Sequence, residues 1–184
     1  MIFPGNFPHL KKAIATYHPQ VFLETFLTED LTNHGIIDRD FFNDSGANTV
    51  SPIDFIPEKI FLSWCKTDPE KRYPILASFI LPYTAEREKE TYHWNPLAMK
   101  VLEQAPNPIA ILRAFESAFQ PSFWSGSYVA HLEKGLALIE GLKSHKNLKI
   151  AQWADEYFSI LFDEIQKRRE REDTKQSYWF QSFE

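Results

Sequence analysis

Apolar residues recur at three- and four-residue intervals along most of the chain, the spacing that gathers them on one side of an α-helix. Over 55–66, Ile56, Ile60 and Trp64 repeat every fourth residue, and Phe61 and Cys65 widen the stripe. Leu97, Val101 and Leu102 mark a helix over 96–105, and Ile111, Leu112, Phe115 and Phe119 mark another over 108–119. Over 126–143, Tyr128, Leu132, Leu136, Ile139 and Leu142 fall at steps of four, four, three and three. Over 148–171, Ile150, Trp153, Ala154, Tyr157 and Leu161 share one side, and Phe158, Phe162 and Ile165 extend it. A stripe that wide predicts burial against two neighbours. Two shorter helices, 7–17 and 19–31, open the chain, the second with Val21, Phe22, Phe26 and Leu27 on one side. No segment alternates with period two and the β-branched residues are scattered, so the pattern predicts no strand.

Prolines punctuate these segments. His18-Pro19, Asp68-Pro69, Asn95-Pro96 and Asn107-Pro108 each place a proline where a helix begins, a position whose N–H has no intrahelical partner. Asp and Asn are strong N-caps and His is a poor one. Pro74 would cost about 3 kcal/mol inside a helix. It therefore predicts a single turn at 69–73 and a helix over 74–81, stopped by Pro82. The polar stretch 83–94, containing Thr84-Ala85-Glu86-Arg87-Glu88-Lys89-Glu90, reads as an exposed helix. Residues 32–54 are rich in Asn, Asp, Gly and Ser and predict a long loop with Phe41 and Phe42 tucked beneath it. Ser125 reads as the N-cap of the 126–143 helix, with Trp124 packing at its start.

Short loops force antiparallel neighbours. The predicted pairs are 7–17 with 19–31, 55–66 with 74–81, 96–105 with 108–119, and 126–143 with 148–171. The fold expected is all-α: antiparallel helical hairpins stacked in one domain over 1–184. Its parts are a first hairpin at 1–31, the loop 32–54, stacked hairpins over 55–171 and an aromatic tail at 172–184.

Two loops inside this array are alike. Trp64-Cys65-Lys66-Thr67-Asp68-Pro69 and Leu102-Glu103-Gln104-Ala105-Pro106-Asn107-Pro108 each end a helix and restart it at an Asx-Pro step, and Pro69 and Pro108 lie 39 residues apart. That is close to the period of two-helix repeats. On Trp64 through Arg72, Ala105 through Pro108, Phe119 through Ser127, Ala151-Gln152-Trp153-Ala154 and Arg169-Glu170-Arg171-Glu172, the stretch 55–171 resembles HEAT-type α-solenoid repeats. It also resembles, more loosely, helical C-terminal segments of large multidomain bacterial proteins. The loop 32–54, Pro74 and the insert 83–94 depart from the pattern. The resemblance implies a short α-solenoid with a scaffold or interaction role, and it supplies no catalytic residue. The five tryptophans are spaced about evenly but occupy different places relative to the helices, so their spacing is coincidental.

Composition narrows the class. Of 184 residues, 43% are hydrophobic and 24% charged, which fits a globular chain. Aromatics reach 15%, with 16 Phe, so rings are expected to pack on rings. A net charge of −5 gives no general attraction to nucleic acid or to an anionic membrane. The absence of an 18-residue apolar run predicts no membrane span. The first residues, Met1 through Lys12, do not read as a signal peptide. With one cysteine, Cys65, no internal disulfide forms, which suits a reducing, cytoplasmic compartment.

Candidate chemistry is sparse. His9, His18, His34, His93, His131 and His145 form no helical His pair and no HExxH motif, so neither a metal nor a cofactor is expected. Cys65, in an apolar helix, reads as a buried side chain rather than a nucleophile. Asp38, Asp40 and Asp44 invite a calcium reading, but the required glycine is replaced by Asn43. Ser125-Gly126-Ser127 is no nucleophile elbow, because no strand precedes it and the glycine pattern is wrong. Lys167, Arg168, Arg169 and Arg171 alternate with Glu170, Glu172 and Asp173 and read as a solvated helix face. The tail keeps Tyr178, Trp179, Phe180 and Phe183, rings that dock either on this domain or on a partner. The sequence thus predicts a non-enzymatic domain that binds a protein partner. Two alternatives remain: a helical ligand binder or enzyme with a pocket between hairpins, where His93, Glu103 or His131 would converge, and nucleic-acid binding along a solenoid groove.

Overall fold

The structure, a computed structural model, describes residues 8–28, 51–86, 91–120 and 127–181, with side chains through Arg171. Among these residues the chain is mostly helical, as its periodicity predicts. It divides into two compact units, Met1–Leu81 with Pro96–Ala114 and Pro82–Asn95 with Phe115–Glu184.

In the first unit, α1 (Pro8–Tyr17) and α2 (Pro19–Phe26) pack together, and a 3₁₀ turn (Pro52–Phe55) lies against α1. This turn replaces the last part of the loop expected over 32–54. Ser51 holds it through a capping box, its Oγ accepting from Ile53 N at 3.4 Å while Asp54 Oδ2 accepts from Ser51 N at 3.1 Å. Phe41 and Phe42 lie outside the described residues. Next come α3 (Glu58–Cys65), α4 (Pro69–Phe79), α5 (Pro96–Gln104) and the start of α6 (Pro108–Phe119). Pro19, Pro69, Pro96 and Pro108 each occupy the first helical position, as the sequence predicts. Asn107 caps α6, its Oδ1 accepting from Ala110 N at 3.3 Å, whereas the Asp68 side chain makes no cap bond.

Pro74 does not split its helix. Pro69–Phe79 is one helix with Pro74 inside it, against the expected turn at 69–73 and helix at 74–81. The bond that proline deletes would have run to the carbonyl of Glu70, an exposed residue in the first turn, where water can replace the lost donor. Meanwhile Tyr73, Leu76 and Ala77 are buried to 2% exposure or less, and this anchoring offsets the local cost. Phe22, Leu23, Phe61, Cys65, Val101 and Leu102 are buried to the same degree.

The second unit corrects three expectations. Residues 83–86 and 91–94 are strands, not parts of a helix: β1 (Tyr83–Glu86) pairs antiparallel with β2 (Thr91–Trp94), in the register Tyr83 opposite Trp94 and Ala85 opposite Tyr92. Opposed residues share a face, so Tyr83, Ala85, Tyr92 and Trp94 point one way and Thr84 and His93 the other. The strong helix formers at 86–90 suggest a helix. Tyr83, Tyr92 and Trp94 on either side are half-buried, and their packing holds 83–86 and 91–94 as strands.

The unit's helices are the end of α6, α7 (Tyr128–Leu142) and α8 (Leu148–Gln181). Ser127, not Ser125, caps α7, with Ala130 N donating to its Oγ at 3.2 Å. Ser125 and Trp124 lie outside the described residues. α7 and α8 form an antiparallel hairpin. At one end Lys143 Nζ meets Asp155 at 3.1 Å and sits 3.5 Å over the Phe158 ring. At the other, Arg168 lies 4.3 Å over Tyr128 and Arg169 pairs with Glu133. Leu132, Ile139, Ile150, Ala154, Leu161 and Ile165 are buried to 1% exposure or less. Gly135 lets Phe119 approach: a Cβ there would stand 3.1 Å from Phe119 Cδ1. α8 does not stop at 171 but continues to Gln181. Its charged run consists of good helix formers, and pairs such as Arg168 with Glu164, 2.6 Å apart and one turn away, support it.

Candidate functional site

Two clusters of polar and aromatic groups stand out, one in each unit. In the first, α2, α3 and α4 border an open cleft of about 450 Å³, with Val21 and Ser63 on its walls. Glu24 of α2 accepts from Trp64 Nε1 at 3.1 Å and from Arg72 Nη2 at 3.0 Å. Arg72 Nη1 donates to the Trp64 carbonyl at 3.2 Å and to Thr67 Oγ1, while its guanidinium lies 4.8 Å from the Trp64 ring centre. Trp64 is thus covered by a cation and tethered by its indole N–H. Glu24, the Trp64 carbonyl and Thr67 already engage this guanidinium, so the arrangement ties three helices together. Behind it, burial pushes the Cys65 thiol up to about 12, against a smaller opposing pull from Arg72. A thiol held protonated is a poor nucleophile, in keeping with the apolar reading of this cysteine.

The second cluster has His131 of α7 at its centre. Its Nδ1 and the Tyr92 hydroxyl of β2 share a hydrogen bond of 2.7 Å, and its buried Nε2 has no hydrogen-bond partner among the described residues. The Tyr92 ring stacks on Tyr83 with centroids 4.3 Å apart. Tyr83 donates to the Ala118 carbonyl at 3.1 Å, and Trp94 Nε1 donates to the Leu138 carbonyl at 3.3 Å. Helix C-termini leave their last carbonyls unsatisfied. The hairpin therefore closes the end of α6 with a tyrosine hydroxyl, and Tyr83 and Trp94 also pack on Phe119. Burial lowers the pKa of His131, the Ala118 and Phe119 carbonyls oppose that shift, and Lys134 adds to it. Burial likewise raises the Tyr92 and Tyr157 hydroxyls.

The remaining candidates are dispersed. His93 turns from the cluster and contacts Thr91 Oγ1 at 3.3 Å, and Glu103 is exposed on α5 in the other unit, so His93, Glu103 and His131 do not converge within either unit. His145 Nδ1 accepts from Asn147 N at 3.1 Å in the turn before α8. His34, Asp38, Asp40 and Asp44 lie outside the described residues. Among those described, no group of three His, Cys, Asp or Glu side chains is placed to hold a metal, and no helix is long and apolar enough to cross a membrane. In the basic cluster, Arg168 and Arg169 are engaged by Glu164 and Glu133. Tyr178, Trp179 and Phe180 fall on the helical backbone of α8, with side chains outside the described set, and Phe183 lies beyond it.

Sequence reasoning missed the Tyr83–Tyr92–His131 cluster because it read 83–94 as a helix. A short signal was present in Thr91-Tyr92-His93-Trp94, where polar and aromatic residues alternate over four positions. Among the described residues the architecture is thus mostly helical, with a β-hairpin bonded to two helices. No known protein family, curated protein or solved structure matches the chain.

Proposed function

We propose that the chain is a non-enzymatic interaction domain of helical-repeat type, which engages a protein partner through the C-terminal end of α8. The observation that carries this reading is the mismatch in length between α8, 34 residues, and α7, 15 residues. Arg168 already lies over Tyr128, the first residue of α7. The helix then continues to Gln181, roughly 20 Å beyond the start of its hairpin partner. Tyr178, Trp179 and Phe180 belong to that extension, and such rings are enriched at the centres of protein interfaces. A helix presented this way suits a groove on another protein. Sequence-adjacent packing of α1 with α2, α3 with α4 and α7 with α8 supports the helical-hairpin, HEAT-like part of the reading.

The test compares the full chain with one ending at Arg171 and with a Trp179→Ala/Phe180→Ala double variant, each recovered from its native cell. The melting temperature is expected to stay within about 2 °C while a protein recovered stoichiometrically with the full chain is lost. A clear drop in melting temperature with unchanged partners would mean that the rings dock on their own domain.

A second reading, a ligand binder, draws on the cleft beside Trp64 and Arg72. It predicts that a small-molecule library shifts the indole N–H resonance of Trp64. An indole signal that stays fixed throughout would dispose of it.

A further inference from the structure

We propose that the Tyr92–His131 contact is a proton-sensitive latch, which holds the β1–β2 hairpin on α6 and α7 and loosens it when the imidazole gains a proton. Two strands of four residues are marginal by themselves, so this hairpin depends on its anchors. The anchors are three polar bonds, from Tyr92 to His131, Tyr83 to Ala118 and Trp94 to Leu138. The first two are coupled, because the Tyr83 and Tyr92 rings stack on one another. Displacing Tyr92 therefore disturbs the tyrosine that closes α6.

The groups packed around the ring determine what a proton does there. From the hairpin come Tyr83 and Tyr92, and from α6 the Ala118 and Phe119 carbonyls. From α7 come Tyr128, stacked 6.3 Å away, and Lys134. From α8, Arg168 covers the Tyr128 ring. The tyrosines are neutral in acid, the side-chain charge acting on the ring is that of Lys134, Arg168 is paired with Glu164, and among the described residues no carboxylate acts on the ring itself. The carbonyl dipoles of α6 favour protonation, but burial outweighs them. The buried Nε2, without a hydrogen-bond partner among the described residues, would carry an N–H and a share of positive charge that no described carboxylate balances. Opening to water relieves this.

The sign follows from linkage. The closed state holds His131 below its ordinary value of 6.5, so an opened hairpin binds the proton more readily. The latch is fully effective above about pH 6.5 and weakens as pH falls from there toward the lowered value of the closed state. Within that window a single proton raises the opening constant by about tenfold per pH unit.

The experiment measures amide protection factors of Tyr83–Glu86 and Thr91–Trp94 by NMR from pH 8 to pH 5 in the intact chain, alongside the His131 imidazole shift. Protection is expected to drop up to about tenfold per unit, in step with His131, and to be pH-independent in His131→Gln. Tyr92→Phe, which keeps the imidazole but removes the bond, should show hairpin exchange that is already fast at pH 8, with His131 titrating nearer 6.5. Hairpin protection that stays level through the His131 titration would overturn the proposal, as would an equal acid response in His131→Gln. If His131→Gln does not fold, the wild-type titration and Tyr92→Phe decide the matter alone.

Discussion

Cys65 and Gly135 show how a single side chain's role is set by its neighbours. Cys65 has no exposed surface and stays protonated at neutral pH. A maleimide should therefore label it only as fast as the first unit opens, with full labelling in denaturant; rapid labelling of the folded chain would contradict its burial. Gly135 and Gly141 share α7 but face different surroundings. A Cβ at Gly135 meets the fully buried Phe119, whereas at Gly141 it meets nothing within 4 Å. Gly135→Leu should cost about 1–3 kcal/mol through overpacking. Gly141→Ala should add about 0.5–1 kcal/mol through helix propensity. Urea unfolding of both variants checks the pair. The apolar character of Cys65 was legible in the stripe of Trp64 and Phe61 around it. The need for a small residue at 135 was not, because it arises from Phe119, sixteen positions away.

Elements were legible where one physical signal dominated. The proline starts at 19, 69, 96 and 108 were readable because the missing N–H suits only the first turn. At Pro74 and in the strands 83–86 and 91–94, local propensity and tertiary burial disagreed, and burial prevailed in both. The hairpin gives the clearest test. Tyr83→Phe leaves the ring but removes the donor to Ala118, so it should cost about 1 kcal/mol and speed exchange of the hairpin amides. An unchanged hairpin would show that the stacked rings alone hold it. On the cleft side, Arg72→Ala removes both the cover of Trp64 and the partner of Glu24. Part of that ion pair faces solvent, so a loss of about 1–2 kcal/mol is expected, with Trp64 emission shifting to the red.

For the molecule as a whole, the three- and four-residue rhythm carried most of the fold, because a helix needs only its own sequence to define an apolar side. The candidate sites were mostly hidden. Tyr83, Tyr92 and His131 become neighbours only when a hairpin folds onto two helices, and no local spacing announces that. Glu24, Trp64 and Arg72 are likewise separated by many residues and joined by packing. The aromatic end of the chain, by contrast, was visible as Tyr178, Trp179, Phe180 and Phe183 in the sequence, and its reading as an interaction handle depends on α8 carrying it past α7.

Backbone chemical shifts of residues 148–181 in the free chain test that dependence most directly. The account predicts uninterrupted helical Cα deviations through Gln181, with no break where the charged run begins. Coil values from 172 onward would remove the rigid extension, and the proposed way of engaging a partner would go with it.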